Sequence, residues 1–370
     1  MKKILHMTPP EVSNGVYQYI FNHMPMMCQK GYEFSFLTKA AEDLKQTKEY
    51  EKYHFPIYQL TNTQRDGREG FIKEIKKILY EGFDVIHLHT SSWRGFLIEE
   101  IAMELGIPKV IVHSHSSGID FSDTAERERI LKDHIYYKDQ FSMKYATDVC
   151  ACSKVAADWL FNERIPRNNI RIMPNAVDIK RYRFCSTVRE EMRRKLGVSK
   201  RIVIGNVGRI SYTKNQEFLI KAFTRAYQAN RDLFMIIIGQ GENTAAMQTL
   251  IQKLGMEHHI QCLGWCENVQ DYLQAMDAFC LPSKFEGFPI SVVEAQAAGL
   301  QCLVSDTVTK EVDLTGLVTF IPLEEGVWAD IMSELKNDKI RRCWDEYFES
   351  AGYSIEASCG RLESLYGCCS

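Results

Sequence analysis

The sequence lacks any long apolar run. No stretch approaches the ~20 apolar residues that a membrane-spanning helix needs. The N-terminal segment, residues 1–10, is basic and then only briefly apolar, so it is too short and too broken for a signal peptide. We therefore expect a cytoplasmic protein whose contact with a membrane is at most peripheral, at the inner face of the plasma membrane.

The sequence also lacks the features of three other protein classes. Its net charge of −3 at pH 7 gives no overall attraction to nucleic acid, so we expect no nucleic-acid partner. Its 12 cysteines are scattered and form no compact secreted framework, which indicates reduced thiols. No repeat or low-complexity segment suggests a solenoid or a disordered arm.

What is present is the composition of a folded protein with two cores. Apolar residues make up 45% of the 370 positions and charged residues 25%. A chain of this length exceeds what one core usually organises, which favours two domains of roughly 150–200 residues each.

Short apolar runs alternate with helical patterns in both halves of the chain. Near-continuous apolar strands of this kind are typical of parallel sheets covered on both faces, so the predicted fold class is α/β with two doubly wound, Rossmann-like domains. A break at residues 174–178 sets the boundary, giving domains at 1–175 and 176–345, with a helical tail at 346–370 that packs on the body.

In the first half we predict strands at 3–7, 32–37, 84–89, 109–115 and 148–151, and helices at 15–29, 71–80, 95–105 and 153–161. In the second we predict strands at 201–207, 233–238, 260–263, 278–281 and 301–305, and helices at 215–228, 243–254, 269–276 and 290–298.

The most informative segment is a loop that leads into the helix predicted at 290–298. It carries two carboxylates, Glu286 and Glu294, eight positions apart. Gly287 allows a ligand to approach the backbone, Pro289 suits the first helical turn, and the free N–H groups of a helix start favour a phosphate. The alternative is an ordinary helix with one exposed acid and one near its N-terminus.

Two cations follow the strand predicted at 201–207. Arg209 and Lys214 come after Gly208, which permits a tight exit from the strand, and together they can bind a diphosphate and stabilise its departure. They can equally be isolated surface cations. The run Gly239-Gln240-Gly241-Glu242 resembles a phosphate- or nucleotide-binding turn but lacks the third glycine of a dinucleotide fingerprint.

Two histidines, His113 and His115, end the strand predicted at 109–115 and share one side of it. One of them can face a donor sugar, although a histidine at a strand end is often a packing or capping residue. The nearby acids Asp120 and Asp123 show no recognisable ligand spacing, so we expect no metal site.

Taken together, these motifs resemble the retaining family-4 glycosyltransferases over nearly the whole chain. The strongest match is a Glu, seven residues and a Glu, formed by Glu286 and Glu294 with Ser283 and Gly287-Phe288-Pro289 beside them. Further matches are Gly208-Arg209, Lys214-Asn215, and residues 84–89 and 174–178. Residues 113–116, 263–265 and 269–273 are most similar to capsule and exopolysaccharide enzymes.

The resemblance implies a GT-B fold, with the two domains facing across a cleft, the acceptor bound by the first domain and the nucleotide-sugar by the second. It implies retention at the anomeric carbon, with no metal and no cofactor. Glu286 would contact the donor sugar, Glu294 the ribose, and Arg209 and Lys214 the diphosphate. Of the two histidines, His115 is favoured at the donor sugar and His113 is second. The remaining donor-binding positions would be Asn14, Gly15, Gly208, Gly287, Phe288, Pro289 and Ile290.

The expected activity is therefore that of a hexosyltransferase, class EC 2.4. It would move a hexose or N-acetylhexosamine from a UDP-sugar to a saccharide or lipid-linked saccharide in capsule or exopolysaccharide synthesis. The alternatives are a sugar-nucleotide epimerase, a phosphorylase, or a non-enzymatic two-domain binding protein. The helix at 71–80, with lysines on one side, could lie on anionic lipid or pack on its own sheet.

Overall fold

Two parallel β-sheets hold the buried apolar runs of the chain. They are seen in a computed structural model that describes residues 1–8, 15–62, 67–337 and 341–367. Runs such as Val110-Ile111-Val112 and Ile236-Ile237-Ile238 are buried throughout, as expected for strands covered on both faces. The predicted fold class, two Rossmann-like α/β domains, is confirmed.

The first sheet has seven strands within the described part of the chain, all parallel, in the order β3-β2-β1-β4-β5-β6-β7. The strand order reverses between β1 and β4, the point where ligands bind in open parallel sheets. The strands are β1 (Lys2–Met7), β2 (Tyr32–Thr38), β3 (Ile57–Gln59), β4 (Val85–Thr90), β5 (Lys109–Ser114), β6 (Asp148–Ala151) and β7 (Ile170–Ile172).

The second sheet repeats this arrangement with six parallel strands among the described residues, in the order β10-β9-β8-β11-β12-β13. Its order reverses between β8 and β11. The strands are β8 (Ile202–Val207), β9 (Leu233–Ile238), β10 (Ile260–Gly264), β11 (Ala278–Leu281), β12 (Gln301–Ser305) and β13 (Val318–Ile321).

Helices connect most of these strands. The helices α2, α3, α6, α8, α9 and α14 are absent from the sequence-based assignment, and α6 and α9 consist mostly of polar residues. The helices are α1 (Gly15–Gln29), α2 (Ala41–Lys45), α3 (Lys48–Tyr53), α4 (Arg68–Leu79), α5 (Leu97–Glu104), α6 (Thr124–Gln140), α7 (Lys154–Leu160), α8 (Ile179–Tyr182), α9 (Ser186–Lys195), α10 (Gln216–Ala229), α11 (Thr244–Lys253), α12 (Val269–Ala275), α13 (Ile290–Ala297), α14 (Glu325–Ser333), α15 (Asp345–Ser350) and α16 (Ile355–Tyr366).

The chain divides into two compact units. The N-terminal unit comprises residues 1–119, 125–176 and 355–370, and the C-terminal unit comprises residues 120–124 and 177–354. The segment that we predicted as a single tail, 346–370, is thus shared: α15 belongs to the C-terminal unit and α16 to the N-terminal one. Cys359, Leu362, Leu365 and Tyr366 of α16 are buried in the core of the N-terminal unit.

The helix α4 packs on its own sheet. Its apolar side chains Phe71, Ile75, Ile78 and Leu79 are all buried, so this face is not available to lipid. No helix in the described part of the chain is long and apolar enough to cross a membrane.

Candidate donor site

Polar side chains gather where the second sheet reverses its strand order. The loop after β8 carries Arg209 and Lys214, and the loop after β11 carries Ser283 and Glu286. Asn215 fastens these loops together, since its side-chain amide donates to the carbonyl of Pro282 at 3.1 Å. Because β8 and β11 are neighbours in the sheet, residues far apart in sequence meet at one edge.

The centre of this group is an ion pair between Lys214 and Glu286. The Lys214 ammonium donates to Oε1 of Glu286 at 2.6 Å, and the Ser283 hydroxyl donates to the same oxygen at 2.7 Å. Both charged side chains are largely buried, with 20% and 12% of their surfaces exposed. The pair therefore holds a cation and an oriented carboxylate at the carboxyl edge of the sheet.

Arg209 is held by Asp120, an acid from the short segment of the C-terminal unit that precedes α6. The Arg209 guanidinium donates to Oδ2 of Asp120, which also accepts from Ser211 at 3.0 Å, while Oδ1 accepts from the backbone of Thr213 at 2.9 Å. Burial raises the pKa of the Asp120 carboxyl, but Arg209 and the Thr213 hydrogen bonds outweigh it, and the net pKa is lowered. Asp120 is thus a carboxylate that orients the arginine.

Glu294 lies in α13 and is buried, with 4% of its surface exposed. Its Oε1 accepts a hydrogen bond from the Tyr182 hydroxyl of α8 at 2.6 Å. Burial and the neighbouring carboxylate raise the pKa of Tyr182, so the phenol stays protonated and donates. Helix α13 begins at Ile290 with Pro289 as its N-cap, so the proline lies one position before the first turn in which we placed it.

Three glycines allow the loops at this edge to approach each other. Gly208 and Gly239 have φ of 155° and 136°, and a Cβ on Gly239 would lie 1.9 Å from the carbonyl oxygen of Gly208. A Cβ on Gly241 would lie 2.4 Å from the carbonyl oxygen of Ile210. Close packing of the backbone therefore accounts for the two glycines of Gly239-Gln240-Gly241, and no phosphate-binding role is needed to explain them.

The N-terminal unit has its own polar group where its sheet reverses order. His6 lies near the end of β1, His87 and His89 lie on β4, His113 lies near the end of β5, and His115 directly follows β5. In the strand register His6 pairs with His87, and His89 pairs with His113. The imidazoles therefore stack across three adjacent strands. His115 is the one partly exposed member.

Two hydrogen-bonded rows connect these imidazoles. In one row, Nδ1 of His6 lies 2.9 Å from Nε2 of His89, and Nδ1 of His89 lies 2.8 Å from Nε2 of His115. In the other, Nδ1 of His87 lies 2.7 Å from the hydroxyl of Tyr366, and Nε2 of His87 lies 3.1 Å from Nδ1 of His113.

Burial keeps these rings neutral. It is the largest cause that lowers the pKa of each ring, and for His6 and His115 the pKa falls to about 3. Neighbouring histidines lower the pKa of His87, His89 and His113 further. At neutral pH each imidazole therefore offers one N–H and one lone pair.

Comparison with known proteins places both units in glycosyltransferase families. Residues 13–181 match the family model described as Glycosyltransferase Family 4, and residues 188–344 match the model described as Glycosyl transferases group 1. EpsF of Bacillus subtilis strain 168, a protein named as a glycosyltransferase, is 25% identical over 99% of this chain and 96% of its own length. The chain is a family-4 glycosyltransferase.

Two further proteins are similar to this glycosyltransferase. The Escherichia coli UDP-Gal:alpha-D-GlcNAc-diphosphoundecaprenol alpha-1,3-galactosyltransferase is 26% identical over 64% of this chain and 62% of its own length. The crystal structure of Anabaena HepE in complex with UDP and glucose superimposes with a TM-score of 0.74 at 17% identity, covering 98% of this chain and 99% of HepE. The GT-B fold is thereby established.

Within the glycosyltransferase, the structure brings Lys214, Ser283 and Glu286 into contact. It places Gly287, Phe288, Pro289 and Ile290 directly before and at the start of α13. Gly15 is the exposed first residue of α1, whereas Asn14 lies outside the described residues. Sequence reasoning missed Tyr182 and the role of Asp120, because neither belongs to a motif and their partners lie 112 and 89 positions away.

Proposed function

We propose that this glycosyltransferase moves a hexose or N-acetylhexosamine from a UDP-sugar to a lipid-linked saccharide, with retention, in exopolysaccharide or capsule synthesis. The observation that carries the proposal is the Lys214–Glu286 pair, which sets a cation and a carboxylate side by side at the strand-order reversal of the second sheet. The names of the relatives support the substrate classes, since they include a UDP-galactose donor and diphosphoundecaprenol acceptors.

The donor would lie across the β8 and β11 loops. Lys214 and Arg209 would bind the diphosphate, with Gly208 allowing the loop to approach it, and Glu294 would bind the ribose with Tyr182 fixing the carboxylate. Gly287, Phe288, Pro289 and Ile290 would supply the backbone around the start of α13. By resemblance to the family, Asn14, Gly15 and either His115 or His113 would also contact the donor.

Glu286 would accept hydrogen bonds from the sugar and would not attack it. Its Oε1 already accepts hydrogen bonds from Lys214 and Ser283, which engage the lone pairs of that oxygen and make it a weak nucleophile. We propose front-face displacement: the bond from the anomeric carbon to the phosphate oxygen breaks, the bond to the acceptor oxygen forms on the same face, and the departing phosphate oxygen takes the acceptor's proton. The two cations stabilise the leaving diphosphate, so the transfer step needs no metal.

The acceptor would bind to the N-terminal unit at the cytoplasmic face of the membrane. Nucleotide-sugars are cytoplasmic, so a diphosphate-linked lipid acceptor must meet the donor at that face of the membrane. The apolar face of α4 is buried in its own core, so contact with the membrane must use other residues.

The test is transfer by the purified protein. UDP-glucose, UDP-galactose, UDP-N-acetylglucosamine and GDP-mannose are each incubated with undecaprenyl-diphosphate-linked acceptors, and the product is identified by mass and its anomeric configuration by NMR. Glu286→Gln should lower kcat by about 100- to 1,000-fold, because one oriented charge is lost in the transition state. Glu217→Gln, at an exposed acid that pairs with Lys221 in the same unit, is the matched control and should leave kcat unchanged.

Several outcomes would contradict the proposal. Release of nucleotide from no donor would remove the activity, and an inverted product or a covalent sugar on Glu286 would remove front-face displacement. Loss of transfer on treatment with EDTA, restored by added metal, would show that the transfer step depends on a metal.

A further inference from the structure

The hydrogen-bonded row formed by Tyr366, His87 and His113 ends in a buried ring nitrogen that has no partner. Nδ1 of His113 lies 3.1 Å from Nε2 of His87, and Nδ1 of His87 lies 2.7 Å from the Tyr366 hydroxyl. The other nitrogen of His113, Nε2, is buried and has no hydrogen-bond partner among the described residues. Buried polar groups nearly always have a partner, so this atom indicates a group that the row still lacks.

The tyrosine fixes the direction of the hydrogen bonds along this row. Burial raises the pKa of Tyr366, so its phenol keeps a proton, and Nδ1 of His87 is the only partner of that hydroxyl in the described part of the chain. If His87 donated instead, the buried hydroxyl proton would have no acceptor, and Nε2 of His113 would be a second unpaired group. Donation by Tyr366 leaves a single unpaired atom and is therefore the more stable arrangement.

The proton on each imidazole follows from that direction. His87 is neutral and accepts at Nδ1, so its one proton lies on Nε2 and is donated to Nδ1 of His113. His113 is neutral as well and accepts at Nδ1, so its own proton lies on Nε2. The atom without a partner is therefore an N–H donor, and the group that it lacks is a hydrogen-bond acceptor.

On the basis of the transfer function proposed above, we propose that His113 donates a hydrogen bond from Nε2 to an oxygen of the donor sugar, and that Tyr366 and His87 are the positioning residues that place this proton. A sugar hydroxyl or the carbonyl of an N-acetyl group supplies such an acceptor. The His113 ring lies 4.0 Å, centroid to centroid, from the ring of the partly exposed His115, so it is the next ring inward from solvent.

The other histidine row does not fix its own protons. His6, His89 and His115 include no hydroxyl, and the two end atoms, Nε2 of His6 and Nδ1 of His115, have no hydrogen-bond partner among the described residues. The protons of this row can shift together from one end to the other, so either tautomer of His115 is compatible with its contacts. Only the row that begins at Tyr366 ends in a donor of fixed identity.

Nitrogen-15 NMR of the full-length chain, labelled at histidine, tests the tautomer without any sugar. In wild type, Nε2 of His113 should have the chemical shift of a protonated ring nitrogen and Nδ1 that of an acceptor, and the spectrum of His113→Phe identifies these signals. Tyr366→Phe removes only the hydroxyl, so the two tautomers of His113 should mix and the two shifts should approach each other. Tyr32→Phe is the matched control, since its hydroxyl donates to the backbone carbonyl of Gly367 directly after α16, and it should leave both shifts unchanged.

Kinetics separates positioning from folding. Tyr366→Phe should lower kcat/KM for the donor by about 2- to 10-fold, because the sugar loses part of one neutral hydrogen bond. UDP-glucose, UDP-galactose and UDP-N-acetylglucosamine are each tested, and the Kd of UDP, which carries no sugar, should be unchanged. In the His113→Phe background, Tyr366→Phe should have no further effect, since it acts through that ring. Thermal unfolding shows whether each variant is folded.

Three results would overturn the proposal. They are a wild-type His113 protonated on Nδ1, a folded Tyr366→Phe with wild-type kcat/KM, and effects of Tyr366→Phe and His113→Phe that add in the double variant. Absence of transfer from every donor would remove the proposed function and, with it, the sugar as the acceptor. The NMR result involves no sugar, so it tests the assigned tautomer separately from the transfer reaction.

Discussion

At the scale of single residues, Glu99 of α5 is a buried acid in the N-terminal unit. Only 6% of its surface is exposed, and burial, with a smaller contribution from Glu100, raises its pKa to about 7. In the unfolded chain a glutamate loses its proton near pH 4.3. The folded state keeps that proton up to a higher pH than the unfolded chain does. The free energy of unfolding therefore falls as pH rises from about 4 to 7 and then levels off.

Glu99→Gln should therefore stabilise the protein at high pH and not at low pH. Glutamine keeps the shape of the protonated acid, so the gain should approach about 3 kcal/mol at pH 8 and be small near pH 4.5. Urea unfolding at the two pH values measures it. Glu104→Gln, at an exposed position of the same helix, is the control and should change stability by less than about 0.5 kcal/mol at either pH. An equal gain for Glu99→Gln at both pH values would contradict the assigned cause.

The donor-site residues that the sequence predicted are those with a recognisable local pattern. Glu286 and Glu294 could be singled out because a glycine, a proline and a helix start lie between them. Asp120 and Tyr182 could not, because an acid in a loop and a tyrosine in a short basic stretch have no distinguishing neighbours. Their contacts to Arg209 and Glu294 exist only after the sheet has formed.

At the scale of elements, α9 is joined to the end of α12 by a buried ion group. Nη1 of Arg193 donates to Oδ2 of Asp277 at 2.9 Å, Arg189 pairs with the other carboxylate oxygen, and the backbone N–H of Val203 donates to Oδ2 at 2.7 Å. All three charged side chains are at most 6% exposed. Two guanidinium groups thus share one buried carboxylate.

Asp277→Asn should destabilise the C-terminal unit by about 3–5 kcal/mol, because it leaves two buried cations without a counter-charge. Urea unfolding followed by circular dichroism measures the loss. Glu217→Gln breaks an exposed pair with Lys221 and should cost less than about 1 kcal/mol. If Asp277→Asn cost no more than this, the backbone carbonyls that also accept from Arg189 and Arg193 would be sufficient to hold them.

The sequence predicted the fully buried strands best, whereas the short strands β3, β7 and β13 were not predicted. Strands β6, β9, β11 and β12 have the predicted bounds, because a buried parallel strand is apolar on both faces. Helix α6 escaped prediction although it has 17 residues, since Ile130 and His134 are its only buried positions among the described residues. A mostly solvated helix has no apolar stripe to detect.

At the scale of the whole molecule, both units use the strand order 3-2-1-4-5-6, counted within each unit, and the N-terminal unit adds a seventh strand after the sixth. Each unit places its polar cluster where that order reverses. The alternation of strands and helices was sufficient to predict two such domains. It could not predict that the chain returns at its end, since α16 lies far in sequence from the N-terminal unit whose core it completes.

That return should make α16 a stability element of the N-terminal unit alone. Leu365 is fully buried there, so Leu365→Ala should cost about 2–5 kcal/mol. Hydrogen exchange should quicken in β1, β2 and β4 and stay unchanged in β8 to β13. Ser364→Ala alters the adjacent exposed position of the same helix and should leave exchange in both sheets unchanged. Faster exchange in β8 to β13 would show that α16 stabilises the C-terminal unit as well, contrary to its assignment to the N-terminal unit.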